Sequence, residues 1–177
     1  MKRISVFLIL TLIILTSMPA IAGNAPDFTL KDLKGKKVSL SSLLKDGPIL
    51  IDFWATWCKS CLHELPLLDQ IGDKYRSQGL QIVAISTDSP KTAAKVRPFV
   101  KSTGYDFIVL LDSKQEVRRL FGGTSTPYTV LISQEGEIVY SHLGYVPGDE
   151  LKIEAKISDL FASKTGDSSE SKVEHGE

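Results

Sequence analysis

Apolar residues recur along the chain in two rhythms: short unbroken runs, and spacings of three and four. Ile49-Leu50-Ile51-Asp52-Phe53-Trp54 is a run interrupted only by Asp52, and Leu80–Ser86 and Phe107–Leu111 are two more. Such runs suit strands covered on both faces. Leu65, Leu68, Ile71 and Tyr75 instead mark one face of a helix from Cys58 to about Ser77. Pro66 lies inside that helix, removes a bond to the carbonyl of Leu62 and predicts a kink; Gln78-Gly79 ends it. Ser89 as N-cap, with Pro90 in the first helical position, predicts a second helix to about Lys101. Ser113-x-x-Glu116 has the form of a capping box, with Val117, Leu120 and Phe121 on one face behind it and Gly122-Gly123 as a stop. Ile153, Ile157, Leu160 and Phe161 predict a last amphipathic helix.

Two hairpins frame these elements. Phe28–Leu30 and Val38–Leu40 flank Lys34-Gly35-Lys36, followed by one helical turn at Ser41–Leu44 and a break at Asp46-Gly47-Pro48. Tyr128–Ile132 and Glu137–His142 flank Ser133-Gln134-Glu135-Gly136. The order strand, helix, strand, helix, strand, helix, hairpin, helix predicts an α/β fold. Its centre is a mixed sheet with helices on both faces and an N-terminal β-hairpin extension.

The ends differ from the middle. Lys2 and Arg3 precede an apolar stretch, Ile4 to Leu15, and Ala20-Ile21-Ala22 is a small-x-small triplet. Residues 1–22 therefore read as a secretory signal peptide cut after Ala22. The alternative is an uncleaved membrane anchor, since Ile4 to Ala22 can just span a bilayer. Residues 23–162 form the expected domain. From Ser163 the chain turns polar and loses periodicity, so 163–177 is expected to be a disordered tail.

At 177 residues and 42% hydrophobic content, the chain can bury one core. Formal net charge is zero, which gives no footprint for nucleic acid. Losing Lys2 and Arg3 from 21 basic residues, against 21 acids, leaves an exported chain at −2. There are two cysteines, Cys58 and Cys61, three positions apart. A secreted domain stapled by disulfides would carry more, spread wider, and so short a loop restrains the unfolded chain weakly. The pair therefore reads as chemical.

Its setting supports that. Cys58 falls where a core strand meets a helix N-terminus, whose free N–H groups and dipole favour a thiolate. Cys58 is then the attacking nucleophile and Cys61, one turn in and deeper, the resolving thiol. Half a zinc site is the competing reading, but no second Cys or His pair stands at suitable spacing. No metal and no cofactor is expected.

Ile51-Asp52-Phe53-Trp54-Ala55-x-Trp57-Cys58-x-x-Cys61 resembles the active-site segment of the thioredoxin superfamily. The longer string Trp57-Cys58-x-x-Cys61-x-x-Glu64-x-Pro66 resembles its exported reductase branch, the TlpA-like proteins and those serving cytochrome c maturation. The resemblance runs from about Pro26 to Phe161 and implies a thioredoxin-like fold and a redox-active disulfide between Cys58 and Cys61. It implies that Thr126-Pro127 is the cis-proline loop, which faces the cysteines and pairs with substrate backbone. Asp52 matches the buried aspartate of thioredoxins, and Glu64 the glutamate of the exported motif. Both are candidate proton acceptors that tune the thiols, and the resemblance leaves open which one takes the Cys61 proton. Trp57 is assigned to substrate binding; Trp54 and Trp57 are also read as packing residues that shield the site. Ser60 departs from the proline found before the second cysteine in many relatives, which leaves oxidant or reductant poise open.

The implied activity is an exported thiol-disulfide oxidoreductase reducing disulfides of extracytoplasmic proteins, with apocytochrome c as a candidate. Its electron donor would be a membrane-embedded thiol carrier, its location periplasmic or otherwise extracytoplasmic, and its state monomeric. Two alternatives are a peroxiredoxin-like thiol peroxidase and a copper-binding metallochaperone of thioredoxin fold. The first wants Thr three residues before its cysteine, where Ala55 stands, with Thr56 one place late. The second wants Cys-x-x-x-Cys and a distant histidine, for which His142 is the one available residue.

Overall fold

A computed structural model describes residues 23–170, with side chains to residue 163. Residues 1–22 and 171–177, and with them the leader and the end of the expected tail, lie outside the described residues. Seven strands form one sheet: β1 (Thr29–Asp32), β2 (Lys37–Ser39), β3 (Ile49–Trp54), β4 (Gln81–Ser86), β5 (Ile108–Leu111), β6 (Tyr128–Ile132) and β7 (Ile138–Leu143). Their order across the sheet is β2-β1-β5-β4-β3-β6-β7. Pairings β3/β4 and β4/β5 are parallel, and the rest are antiparallel. The mixed sheet is the one the alternation of runs predicted, and the N-terminal hairpin extends it beside β5.

Every residue of β3 is buried, as its unbroken apolar run requires. Its side chains alternate between two cores. Ile49, Ile51 and Phe53 pack with Leu40 and Leu43 of α1 (Leu40–Leu43) and with Val117 of α4 (Glu116–Leu120) and the adjoining Phe121. Leu50 packs on the other face with Leu68, Ile71 and Tyr75 of α2 (Lys59–Tyr75) and with Ile153 and Ile157 of α5 (Asp149–Glu170). Trp54 shares that face with Cys61 and Leu65 of α2 and Val96 of α3 (Val96–Thr103). Helices thus cover both faces. α2 runs unbroken through Pro66.

Four expectations change. The second helix begins at Val96, not at Pro90; residues 89–92 turn, and Ala93–Lys95 is a short 3-10 segment. Pro98 explains this: its ring nitrogen cannot donate, a defect tolerated in the first turn of a helix and not in the middle of one. The capping box at Ser113 does not form, because Asp112 does the capping. Its carboxylate accepts the backbone N–H groups of Glu116 and Arg118, each at 2.9 Å. Leu120 is exposed while Val117 and Phe121 are buried, since a five-residue helix is too short to bury a full face. Finally, α5 continues to Glu170, so residues 163–170 are helical rather than an unstructured tail. They extend a helix already anchored by Ile153 and Ile157, and a started helix adds residues at little cost.

The termini of β3 define two poles. Its last residue leads to Cys58. Its first, Ile49, pairs with Ile132, and Ile132 leads into the β6–β7 turn. Gly23 docks there, its carbonyl accepting the Ile138 N–H at 3.2 Å. The chain therefore enters the domain at the pole opposite Cys58, about 20 Å away along β3.

Candidate active site

β3 ends at Trp54, and the Cys58 N–H donates to the Ala55 carbonyl at 3.1 Å, closing a tight turn. Cys58 is the N-cap of α2 with extended backbone, φ −86° and ψ 101°. Its sulfur accepts the Cys61 N–H at 3.2 Å, one of the donors that a helix start leaves without an intrahelical partner. Cys58 and Cys61 are joined by a disulfide, S–S 2.04 Å, with Cα atoms 5.3 Å apart. Cys61 is fully buried and Cys58 is 6% exposed, so Cys58 is the nearer of the two to solvent. Ser60 Oγ lies 3.5 Å from Cys58 Sγ. A disulfide sulfur carries no hydrogen, so the serine hydroxyl is the donor. The departure at position 60 thus puts a hydrogen-bond donor on the outer sulfur.

Asp52 and Glu64 meet beneath this pair, both with zero exposure. Among the described residues, neither oxygen of Asp52 has a hydrogen-bond partner, and Glu64 Oε2 has none. Glu64 Oε1 accepts the Thr129 hydroxyl at 3.0 Å. Burial pushes the Asp52 carboxyl well above its ordinary range, and the nearby Glu64 adds to the rise. Burial lifts Glu64 to about 7; the Thr129 hydroxyl pulls it down, and Asp149 and Glu150 push it up. Both shifts follow from removing a carboxylate from water with too few donors to replace it.

The Thr126–Pro127 peptide bond is cis. Pro127 is buried and Thr126 half-buried. Tyr128 pairs with Phe53, which places Pro127 level with Trp54 at the cysteine end of the sheet. The Gly144 N–H donates to the Pro127 carbonyl at 2.8 Å and ties the loop to the end of β7. Trp54 is buried against Phe99, ring centres 5.1 Å apart. Trp57 is 61% exposed. It is no packing residue, because the turn carries it outward beside Cys58. Ser60, His63, Leu67, Tyr145 and Pro147 line a cleft of about 410 Å³ next to the motif. His142 binds Asp149 Oδ2 through Nε2 at 3.0 Å. Among the described residues, no group of three or more His, Cys, Asp or Glu is placed to hold a metal.

Three polar residues of this end escape sequence reasoning. Thr129 is a fully buried hydroxyl in the strand Tyr128–Ile132, paired directly with Asp52 across β3 and β6. That pairing of two polar residues in buried strands is the signal that could have exposed it. Asp149, at the start of α5, accepts Lys152 Nζ and the Val146 N–H as well as His142. Asp88 follows the last residues of β4, and besides the neighbouring Ser86 it bonds Thr56, 32 positions away.

Residues 21–141 match the model of the AhpC/TSA family. Thiol-disulfide oxidoreductase ResA of Bacillus thuringiensis is 33% identical over 132 residues, 75% of each chain. Its namesake in Bacillus subtilis is 38% identical over 117 residues, 66% of this chain and 64% of that one. A structure described as thiol:disulfide interchange protein DsbE from Chlorobium tepidum superposes with a TM-score of 0.72 at 30% identity. It covers 79% of this chain and 96% of its own. With a thioredoxin-like sheet, a Cys-x-x-Cys disulfide at a helix start and these relatives, the chain belongs to the AhpC/TSA family, as a thiol-disulfide oxidoreductase of the ResA type.

Proposed function

We propose that the chain reduces disulfides in exported proteins, apocytochrome c among them, on the outer side of the cytoplasmic membrane. The observation that carries this is the Cys58–Cys61 disulfide at the start of α2, over two buried carboxylates held by few donors. In the reduced enzyme, Cys58 as thiolate attacks one sulfur of a substrate disulfide. A Cys58–substrate disulfide forms, and the first substrate thiol leaves with a proton. Cys61 then gives its proton to the Asp52/Glu64 pair and attacks Cys58 Sγ. The Cys58–Cys61 bond forms, the second substrate thiol is released, and two electrons have passed to the substrate. The helix start and the Cys61 N–H hold the Cys58 thiolate, and Ser60 donates to the same sulfur. Thr126, Pro127 and the outward Trp57 bind the substrate chain beside the sulfur. A membrane thiol carrier returns the two electrons, and the enzyme works as a monomer.

Residues 1–22 serve as the export leader, cleaved or kept as an anchor, ahead of the catalytic domain that starts at residue 23. Entry of the chain opposite Cys58 suits either form, since a tether there leaves the cysteine pole free. Among the described residues, no helix is long and apolar enough to cross a membrane. The peroxidase and copper-carrier alternatives draw no support from the site. Ala55 stands where the peroxidase pattern wants Thr, and His142 Nε2 is engaged by Asp149.

The test is a Cys61→Ser variant expressed with its leader. It should accumulate mixed disulfides through Cys58 in the extracytoplasmic fraction, apocytochrome c included. The Cys58–Cys61 midpoint should fall near or below about −250 mV, as for a reductant; a value near about −120 mV would make the protein a disulfide donor. No trapped partner outside the membrane would sink the export reading.

A further inference from the structure

Asp88 is buried to 1% exposure, and the three groups bonded to its carboxylate are all donors. The Thr56 N–H donates to Oδ2 at 2.8 Å and the Thr56 hydroxyl to Oδ1 at 2.7 Å. The Ser86 hydroxyl donates to Oδ2 at 3.1 Å, while Ser86 Oγ accepts the Asp88 N–H at 3.2 Å. Thr56 is the first central residue of the turn that the Cys58 N–H closes on Ala55. Both of its donors are therefore held by one side chain from another strand's exit. That exit is itself braced. The N–H and hydroxyl of Thr87 both donate to the Trp54 carbonyl, at 2.8 and 3.0 Å. The Asp112 N–H donates to the Ser86 carbonyl at 2.8 Å, and Gln115 Nε2 to the Thr87 carbonyl at 3.2 Å. The β4 exit is a rigid strut, and Asp88 is its point of contact with the cysteine turn.

We infer that Asp88 is a positioning residue for disulfide exchange: by gripping Thr56 at two points it fixes the turn that presents Trp57 and holds Cys58 as the N-cap of α2. It touches no reacting atom. It acts through Thr56, and the inference rests on the dithiol reading of Cys58 and Cys61. The N-cap backbone is extended, so the turn must stop and redirect the chain at Cys58. A freed Thr56 lets Cys58 drift from the Cys61 N–H and the helix axis, and the thiolate loses part of its stabilisation.

The test compares purified full-length wild type, Thr56→Val and Thr56→Ser. Iodoacetamide alkylation of Cys58 in the reduced protein is followed against pH, and turnover is followed on a cyclic peptide disulfide. Valine keeps the bulk and loses one of the two grips. The alkylation midpoint should rise by about half a pH unit, within the range a helix terminus supplies. The kcat should fall about tenfold with KM little changed, as displaced reacting groups do. Serine restores the hydroxyl and should return both readings toward wild type. Asp52 and Glu64, which titrate beneath the pair, are untouched in either variant. If Thr56→Val does not fold, Asp88→Asn, which keeps one acceptor, should give the same direction with a smaller change. A folded Thr56→Val with wild-type kcat and midpoint, whatever its melting temperature, overturns the inference. Absence of turnover in wild type would instead overturn the dithiol reading, and the alkylation midpoint would still report on the turn.

Discussion

Asp52 and Asp149 are both buried at the cysteine end, and their surroundings are opposite. Among the described residues Asp52 has no donor on either oxygen, and its pKa is driven up. Asp149 has donors on both: Lys152 on Oδ1, His142 and the Val146 N–H on Oδ2. These hold it down at about 2. The two sites are joined by one row across the sheet, since His142 pairs with Thr129 and Thr129 with Asp52. The row shows that distance from water does not by itself decide charge. The donors a carboxylate finds decide it. Asp149 keeps its charge and fixes the start of α5. The Asp52/Glu64 pair, starved of donors, is pushed toward its protonated form, Glu64 to about 7, and in the proposed cycle it takes the Cys61 proton.

The comparison breaks most visibly in activity. Asp52→Asn with Glu64→Gln leaves similar shapes that cannot take a proton. Turnover on a peptide disulfide at pH 7 should drop by about 10²-fold, the low end for a lost general base. The yield of trapped Cys58 adduct in the Cys61→Ser background should stay the same, because attack by Cys58 does not use the pair. Equal loss in both assays would mean the acids only hold the site together.

A smaller effect, with opposite signs at the two sites, appears in stability. Glu64 has a folded pKa of about 7 against 4.5 in the unfolded chain, so the folded state binds more protons between those values. Stability should therefore fall as pH rises from about 4.5 through 7, by about 3 kcal/mol from Glu64 alone. Asp52 works in the same direction. Asp149, lowered from 3.8 to about 2, contributes stability that is present above 3.8 and lost as pH falls toward 2. Urea melts of the oxidised protein should show the midpoint declining from pH 5 to pH 8. The double variant at 52 and 64 should flatten that decline. Asp149→Asn should cost about 1–3 kcal/mol at pH 7, and less as pH approaches 2. A wild-type profile that is level from pH 5 to 8 would contradict the donor argument.

The sheet was legible because its central strands are unbroken apolar runs: β6 begins and ends where expected, and β4 and β5 differ by one residue at their starts. The placement of Cys58 and Cys61 at a helix start, with Asp52 and Glu64 buried, was legible because the motif that holds them is local. Misreadings arose where a local pattern had a rival. Asp112 outcompeted Ser113 as a cap, and Pro98 moved a helix start that Pro90 seemed to set. By residue type Trp57 reads as packing over the site as well as binding substrate, but the turn carries it outward. Thr129, Asp149 and Asp88 could not be assigned in advance, because partners 65, 7 and 32 positions away define them.

Thr129 offers the finest adjustment of the row. Among the described residues its hydroxyl is the one donor on Glu64, and it lowers that carboxyl against the effect of burial. Thr129→Val keeps the branched shape favoured in a strand and removes the donor. Glu64 should then sit higher than about 7, moving further from Asp149 in behaviour without any change at Asp149 itself. The alkaline limb of the stability profile should move to higher pH, with about 1 kcal/mol lost for the missing bond. The pH dependence of turnover should move the same way, since the pair must lose its proton before it can accept one from Cys61. Infrared titration of the Glu64 carboxyl reads the shift directly. A midpoint that stays in place, or falls, would show that the hydroxyl does not hold the charge and that another group supplies the donor.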